Sequence, residues 1–126
     1  FKENNVNILG FVKPDKLIEL LSECTMMVHT AYIENSPNSI CEAQCLGVPV
    51  VSTNVGGIST LVRDGVDGIL VPANDPWQMV YNIVSLSHDT ERMKTMSRMT
   101  RERALSRHNP DNILGQLLDC YRSILK

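Results

Sequence analysis

Two carboxylates eight residues apart, Glu34 and Glu42, bracket the stretch of this 126-residue chain best equipped for chemistry. Between them run Asn35-Ser36-Pro37-Asn38-Ser39-Ile40-Cys41, and after them Ala43-Gln44-Cys45-Leu46-Gly47. Pro37 suits the first turn of a helix, Ser36 or Asn38 can cap it, and Gly47 can end it. The first backbone N–H groups of a helix have no intrahelical partner, and they attract anions such as phosphate. A carboxylate, in turn, accepts hydrogen bonds from hydroxyl groups. The stretch therefore offers a phosphate seat flanked by two hydroxyl acceptors, which is what a sugar nucleotide needs. Two glutamates at this spacing are also common, and strand–loop–helix units occur in every α/β fold, so the pair alone assigns nothing.

The elements around this stretch must position it. On a helical wheel Ile40, Cys41, Ala43, Cys45 and Leu46 surround nearly the whole axis, which predicts a helix buried on most sides. Glu42 is its single charge and is expected to be buried too, a costly placement without partners. Met26-Met27-Val28 predicts the strand leading in, within 25–30. Upstream, Val6-Asn7-Ile8-Leu9-Gly10-Phe11-Val12 alternates like a strand. Pro14-Asp15 then opens an amphipathic helix with Leu17, Ile18, Leu20, Leu21 and Cys24 on one face. Downstream, Val48-Pro49-Val50-Val51-Ser52-Thr53 is continuously apolar in the manner of a parallel strand.

Val55-Gly56-Gly57-Ile58 reads as a tight turn into a short helix over 59–63; it lacks the spacing of a dinucleotide fingerprint. A turn over 64–68 precedes a strand at Ile69-Leu70-Val71. Asp75-Pro76 starts a helix expected to turn Trp77, Val80, Tyr81 and Val84 inward. A charged helix over 89–108 follows. After Asn109-Pro110, a last helix gathers Ile113, Leu114, Leu117, Leu118, Tyr121, Ile124 and Leu125 in one arc. Strands alternating with helices predict an α/β fold, a Rossmann-like parallel sheet flanked by helices with a helical C-terminal segment.

A net charge of −2 makes no case for nucleic acid or an anionic membrane surface. No apolar run is long enough to span a bilayer and no secretory signal is present, so a cytoplasmic chain is expected. It opens at Phe1-Lys2-Glu3 without an initiator Met and reads as a segment of something longer. Cys24, Cys41, Cys45 and Cys120 form no CxxC pair and read as buried reduced thiols. Cys41 and Cys45 could share a metal, but no His or further Cys lies near them, so no metal site is expected. Arg92, Lys94, Arg98, Arg101, Arg103 and Arg107, interspersed with acids, read as a solvated helix face. His29 ends a strand with no nucleophile in sequence reach, so no triad is argued.

Taken together, these motifs resemble the C-terminal domain of a family 4 (group 1) retaining glycosyltransferase of the GT-B fold. The resemblance covers nearly the whole chain, 1–126, in the right order. It runs from Ile8-Leu9-Gly10-Phe11-Val12 through His29-Thr30-Ala31-Tyr32-Ile33-Glu34 to Glu42-Ala43-Gln44-Cys45-Leu46-Gly47-Val48-Pro49-Val50-Val51-Ser52-Thr53. Val55-Gly56-Gly57, Asp64-Gly65-Val66-Asp67-Gly68-Ile69-Leu70-Val71 and the Tyr121 helix complete it. The resemblance implies that Glu34 is catalytic, facing the donor sugar at its anomeric carbon, and that Glu42 holds the ribose hydroxyls. Amides of Asn38, Ser39 and Ile40 would meet the diphosphate or donor sugar, and Phe11, Val12 and Lys13 would lie against the base.

The resemblance also implies transfer of a sugar from a nucleotide diphosphate sugar, with retention and without metal or cofactor. The acceptor is unknown: a glycan, a lipid-linked sugar or a small molecule. Asn35 and Pro37 stand where many members carry Gly, which leaves the donor open. The basic residues that grip donor phosphates in this family, and its acceptor-binding N-terminal domain, would come from an upstream stretch. Any membrane contact would come from there too. Two alternatives remain, a sugar-nucleotide epimerase of the same fold and a non-catalytic sugar-nucleotide-binding domain.

Overall fold

Three short parallel strands carry the domain. The computed structural model describes residues 5–125. In it β1 (Met27–His29), β2 (Val50–Thr53) and β3 (Gly68–Val71) pair side by side in that order. The register sets Val28 against Val51, and His29 against Ser52. On the other side, Val51 meets Ile69 and Thr53 meets Val71. Successive strand residues face opposite sides of a sheet, and both faces here are covered. Val50 packs with Leu21, Ile40, Ala43, Ile58 and Leu61 on one side. Val51 packs with Ile69, Val71, Met79, Leu86 and Met96 on the other. That two-sided burial explains why β2 reads as an unbroken apolar run.

The helices follow in chain order as α1 (Pro14–Glu23), α2 (Asn38–Cys45), α3 (Ile58–Leu61), α4 (Pro76–His88), α5 (Thr90–Arg107) and α6 (Pro110–Ile124). Their starts agree with the sequence reading. Asp75 accepts from the Gln78 amide, Asp89 from the Arg92 amide, and Asn109 from the amides of Asp111 and Asn112. The end of α2 is equally well marked. Gly47 adopts φ +78°, its amide donates to Gln44, and the Val48 amide donates to Ala43. This paired closure is the Schellman arrangement, which a residue with a Cβ enters only at a cost.

Several expectations are corrected. Residues 6–12 form no strand. Ile8 and Phe11 are exposed, Phe11 at 93%, and Gly10 breaks the extended run with φ +63°. Alternation marks a strand only where a neighbour supplies hydrogen bonds, and no described strand lies alongside this segment. Helix α4 turns Met79, Ile83 and Leu86 to the sheet, leaving Trp77 84% exposed and Val80, Tyr81 and Val84 open. Both stripes have helical period, so periodicity alone could not choose between them.

The thiols are not buried as a group either: Cys24 and Cys120 are exposed, and Cys41 and Cys45 are half-buried. The basic face of α5 is only partly a solvated one. Arg101 donates to the Cys45 carbonyl at the end of α2, and Arg107 to the Thr60 carbonyl. Arg103 donates to the carbonyls of Leu61 and Thr60, and to Asp67. These arginines close open helix ends, where cations and donors are favoured.

Candidate functional site

Both β1 and α2 direct their ends to one place. β1 finishes at His29, the chain passes through a loop over 30–37, and α2 begins at Asn38. The N-terminus of α2 therefore stands at the carboxyl edge of the sheet, where open parallel sheets bind ligands. Pro37 occupies the cap position in an extended conformation, and neither Ser36 nor Asn38 supplies a side-chain cap. Proline has no N–H to offer. The Ile40 amide donates to the Pro37 carbonyl at 3.2 Å. Among the described residues the Asn38 and Ser39 amides meet no acceptor. Of the three amides expected to face an anion, those two are free.

Glu34 sits in the loop ahead of this helix end and is half-buried. One carboxylate oxygen accepts from the Asn35 amide at 2.9 Å, and the other lies 3.7 Å from His29 Nε2. The loop itself is tied down at two further points. Thr53 donates its hydroxyl to the Ala31 carbonyl at 2.6 Å. Gly57 donates its amide to the Asn35 carbonyl at 2.8 Å. A Cβ on Gly56 would overlap the Glu34 carbonyl oxygen, and one on Gly57 would overlap that of Asn35. The two glycines are required by close approach of backbone to the loop that carries Glu34.

Glu42 departs from expectation, because it is exposed. α2 buries Ile40, Ala43 and Gln44, and positions 38 and 42 fall four residues apart on its open side. The wheel counted small cysteines as core, whereas Cys41 and Cys45 are only half-buried. Glu42 borders a shallow hollow of about 250 Å³ with Ile18 of α1, Cys41, Cys45, Leu46 and His108. Burial pushes the Cys41 thiol up; Arg107 pulls it down, while Cys45 and Glu42 push it up further.

Phe11, Val12 and Lys13 line a separate hollow of about 350 Å³ with Leu9, Lys16 and Leu20. Both hollows use α1 as a wall, but they are not one pocket, and neither takes in Glu34. Glu34 thus lies in the loop that leads into the free amides of α2. The structure leaves Glu42 on the open side of α2 and 11–13 in a separate hollow against α1.

A further cluster supports the site from behind. Asp67 has 0% exposure and accepts from the Arg63 amide at 2.7 Å and from Arg63 Nε at 2.5 Å. Arg103 Nη1 of α5 lies 3.2 Å from the same carboxylate. These bonds fix the end of α3, whose start carries Gly57. Sequence reasoning missed this role for Asp67 and Arg103, argued no triad for His29, and read Ser52 and Thr53 only as part of a strand. Their signal was positional: His29 and Ser52–Thr53 are the last residues of neighbouring parallel strands. Among the described residues no cluster of His, Cys, Asp and Glu could hold a metal ion.

Residues 1–103 match the family model described as glycosyl transferases group 1. The chain belongs to that family. D-inositol 3-phosphate glycosyltransferase of Acidothermus cellulolyticus is 40% identical over 63 residues, covering 50% of this chain and 14% of that protein. N-acetyl-alpha-D-glucosaminyl L-malate synthase of Bacillus anthracis is 28% identical over 124 residues, 98% of this chain and 32% of its own. The crystal structure of HepE from Anabaena in complex with UDP-glucose superposes with a TM-score of 0.84 at 29% identity. That match covers 96% of this chain and 33% of HepE. This group 1 chain has the fold of part of a GT-B glycosyltransferase. It spans about a third or less of each of these relatives.

Proposed function

We propose that this chain is the C-terminal, donor-binding half of a glycosyltransferase that moves a sugar from a nucleotide diphosphate sugar to an acceptor with retention of configuration. The observation that carries the reading is the free Asn38 and Ser39 amides at the start of α2, with Glu34 in the loop just ahead of them and held by the Asn35 amide. Those amides and the positive end of the helix would receive the diphosphate, whose departing charge they stabilise without calling for a metal or cofactor. Glu42 would accept from the ribose hydroxyls, and the backbone of Phe11, Val12 and Lys13 would support the base. Glu34 would face the anomeric carbon. As the bond from that carbon to the diphosphate oxygen breaks, positive charge grows on the sugar, and a fixed carboxylate stabilises it. The acceptor hydroxyl oxygen then bonds to that carbon, its proton passes to the departing diphosphate oxygen, and the electron pair of the broken bond leaves with the nucleotide.

HepE holds UDP-glucose, and the class of donor is carried over from it. The acceptor would be supplied by the part of the protein outside this chain, on a polysaccharide, glycolipid or related glycoconjugate. No helix among the described residues is long and apolar enough to cross a membrane, in keeping with a protein working in the cytoplasm or at the inner membrane face. The test is the complete protein carrying this chain, screened against a panel of nucleotide sugars for release of the nucleotide diphosphate and for a donor-induced rise in Tm. One donor standing above the rest in both is the expected result. A folded protein that neither binds nor cleaves any of them would overturn the reading. The 126-residue chain alone should bind a nucleotide diphosphate at about the millimolar level, roughly −4 kcal/mol, without turnover.

A further inference from the structure

His29 and Ser52 sit side by side at the ends of β1 and β2, paired in register. Ser52 is wholly buried, and its Oγ lies 3.4 Å from His29 Nδ1. The far side of the ring, Nε2, lies 3.7 Å from the Glu34 carboxylate. The His29 side chain is 15% exposed and that of Glu34 is 29%. At 3.7 Å the contact is an electrostatic pairing rather than a hydrogen bond. The imidazole thus stands between a buried strand hydroxyl and the carboxylate that the proposed chemistry uses.

We infer that His29 is a positioning residue for Glu34, with Nε2 carrying the hydrogen that faces the carboxylate and Ser52 fixing the ring from the other side. The inference rests on the transferase reading for its effect on turnover, but not for its geometry. Proton accounting decides which nitrogen is protonated. Ser52 has one hydroxyl hydrogen and two neighbours for it, Nδ1 of His29 and the Thr53 carbonyl at 3.1 Å. If the hydrogen goes to Nδ1, the neutral ring carries its own hydrogen on Nε2. If it goes to Thr53, Ser52 accepts from Nδ1, and Nε2 is also protonated only in the imidazolium. The remaining form, neutral with hydrogen on Nδ1 alone, would aim the Nε2 lone pair at the Glu34 carboxylate and repel it. Both arrangements that hold Glu34 place a hydrogen on Nε2.

The consequence for chemistry follows from Glu34's position on a loop. The Asn35 amide engages one oxygen, which alone leaves the other free to swing. Pairing with His29 restricts that second oxygen while a sugar is delivered against it. A carboxylate misplaced by about an ångström costs turnover on the order of 100-fold, while the ground-state grip on the distant nucleotide changes little.

Two amide replacements separate the two ends of the ring. In His29→Gln the side-chain amide reaches roughly where Nε2 stood, and in His29→Asn roughly where Nδ1 stood. In the complete protein, His29→Asn should lower kcat roughly 10- to 100-fold with donor KM nearly unchanged, and His29→Gln should recover most of the loss. Equal losses in both variants, or a change confined to KM, would overturn the inference. Nitrogen-15 histidine spectra of the wild-type chain give an answer that needs no active enzyme. The chain has three histidines, so the signal missing in His29→Gln assigns residue 29. Nε2 should be protonated; a neutral ring with its hydrogen on Nδ1 would contradict the inference even where transfer is found. Conversely, a protonated Nε2 in a protein that transfers nothing would sink the transferase reading and leave this geometry standing.

Discussion

The Gly57 amide donates to the carbonyl of Asn35 at 2.8 Å, joining the turn after β2 to the loop that carries Glu34. Through that bond the position of a proposed catalytic carboxylate depends on a glycine 23 residues downstream. α3 begins directly after Gly57, and Arg63, Asp67 and Arg103 hold its far end. Packing, turn and site form one connected support.

Substitution at the turn should therefore affect chemistry as well as stability. Gly57→Ala would drive a Cβ into the Asn35 carbonyl oxygen. It should cost about 1–3 kcal/mol of stability, as overpacking does, and lower turnover by displacing the loop. Gly65→Ala is the control. It imposes a Cβ on a left-handed residue, φ +72°, but into open space, whereas Gly57 has φ −82° and only the overlap to bear, so stability should fall by about 1–2 kcal/mol while kcat holds. Urea unfolding and donor kinetics on both variants check this. Unchanged kcat in a folded Gly57→Ala enzyme would detach the turn from the site.

Asp67 should be the most costly single carboxylate to remove. It is fully buried and takes hydrogen bonds from Arg63 and Arg103. Its guanidinium partners are partly open to water, so the loss is that of several hydrogen bonds to a charged acceptor, each worth about 1.5–3 kcal/mol. Asp67→Ala should lower the urea midpoint accordingly with little change in slope. Asp64→Ala removes an exposed acceptor of the Leu70 amide and should cost about 1 kcal/mol. Equal losses at the two positions would contradict the assignment.

The cysteines should label in a definite order. Burial raises the pKa of Cys41, and only the thiolate attacks an alkylating reagent. A raised pKa leaves less thiolate at any pH below it, so Cys41 should react last at pH 8 and gain most as pH rises. Cys24 and Cys120 are exposed and should react first. Mass spectrometry over a time course of iodoacetamide labelling decides it, and Cys41 labelling as fast as Cys24 would contradict the burial argument.

What the chain's order made legible was the frame. The apolar run 48–53 and the caps at Asp75, Asp89, Asn109 and Gly47 announce their elements by local chemistry, which tertiary packing had no reason to override. What stayed hidden was which of two equivalent faces meets the core. Met79, Ile83 and Leu86 compete with Trp77, Val80 and Val84 at the same helical spacing, and the sheet takes the first set. The exposure of Glu42 escaped for the same reason. That Glu34 lies in the loop just ahead of α2 could be read from the helix-start signals around Pro37. His29 and Ser52 could not, because a contact across 23 residues arises from strand register, which no local pattern records.

The most direct measurement compares Glu34→Gln with Glu42→Gln in the complete protein by steady-state kinetics with varied donor. Melting temperatures come first, and both variants should stay folded, since Glu34 is half-buried and Glu42 is exposed. Glu42 is assigned to the ribose, remote from the reacting carbon. A hydrogen bond to a charged group is worth about 1.5–3 kcal/mol, so its loss should weaken donor binding by roughly 10- to 100-fold. Some loss of turnover can accompany it, because remote binding energy also positions the reacting centre. In the proposed role Glu34 would face charge that develops only as the leaving group departs, so Glu34→Gln should depress kcat far more than donor affinity. A Glu34→Gln enzyme with near-normal kcat and only a raised donor KM would contradict the role assigned to Glu34.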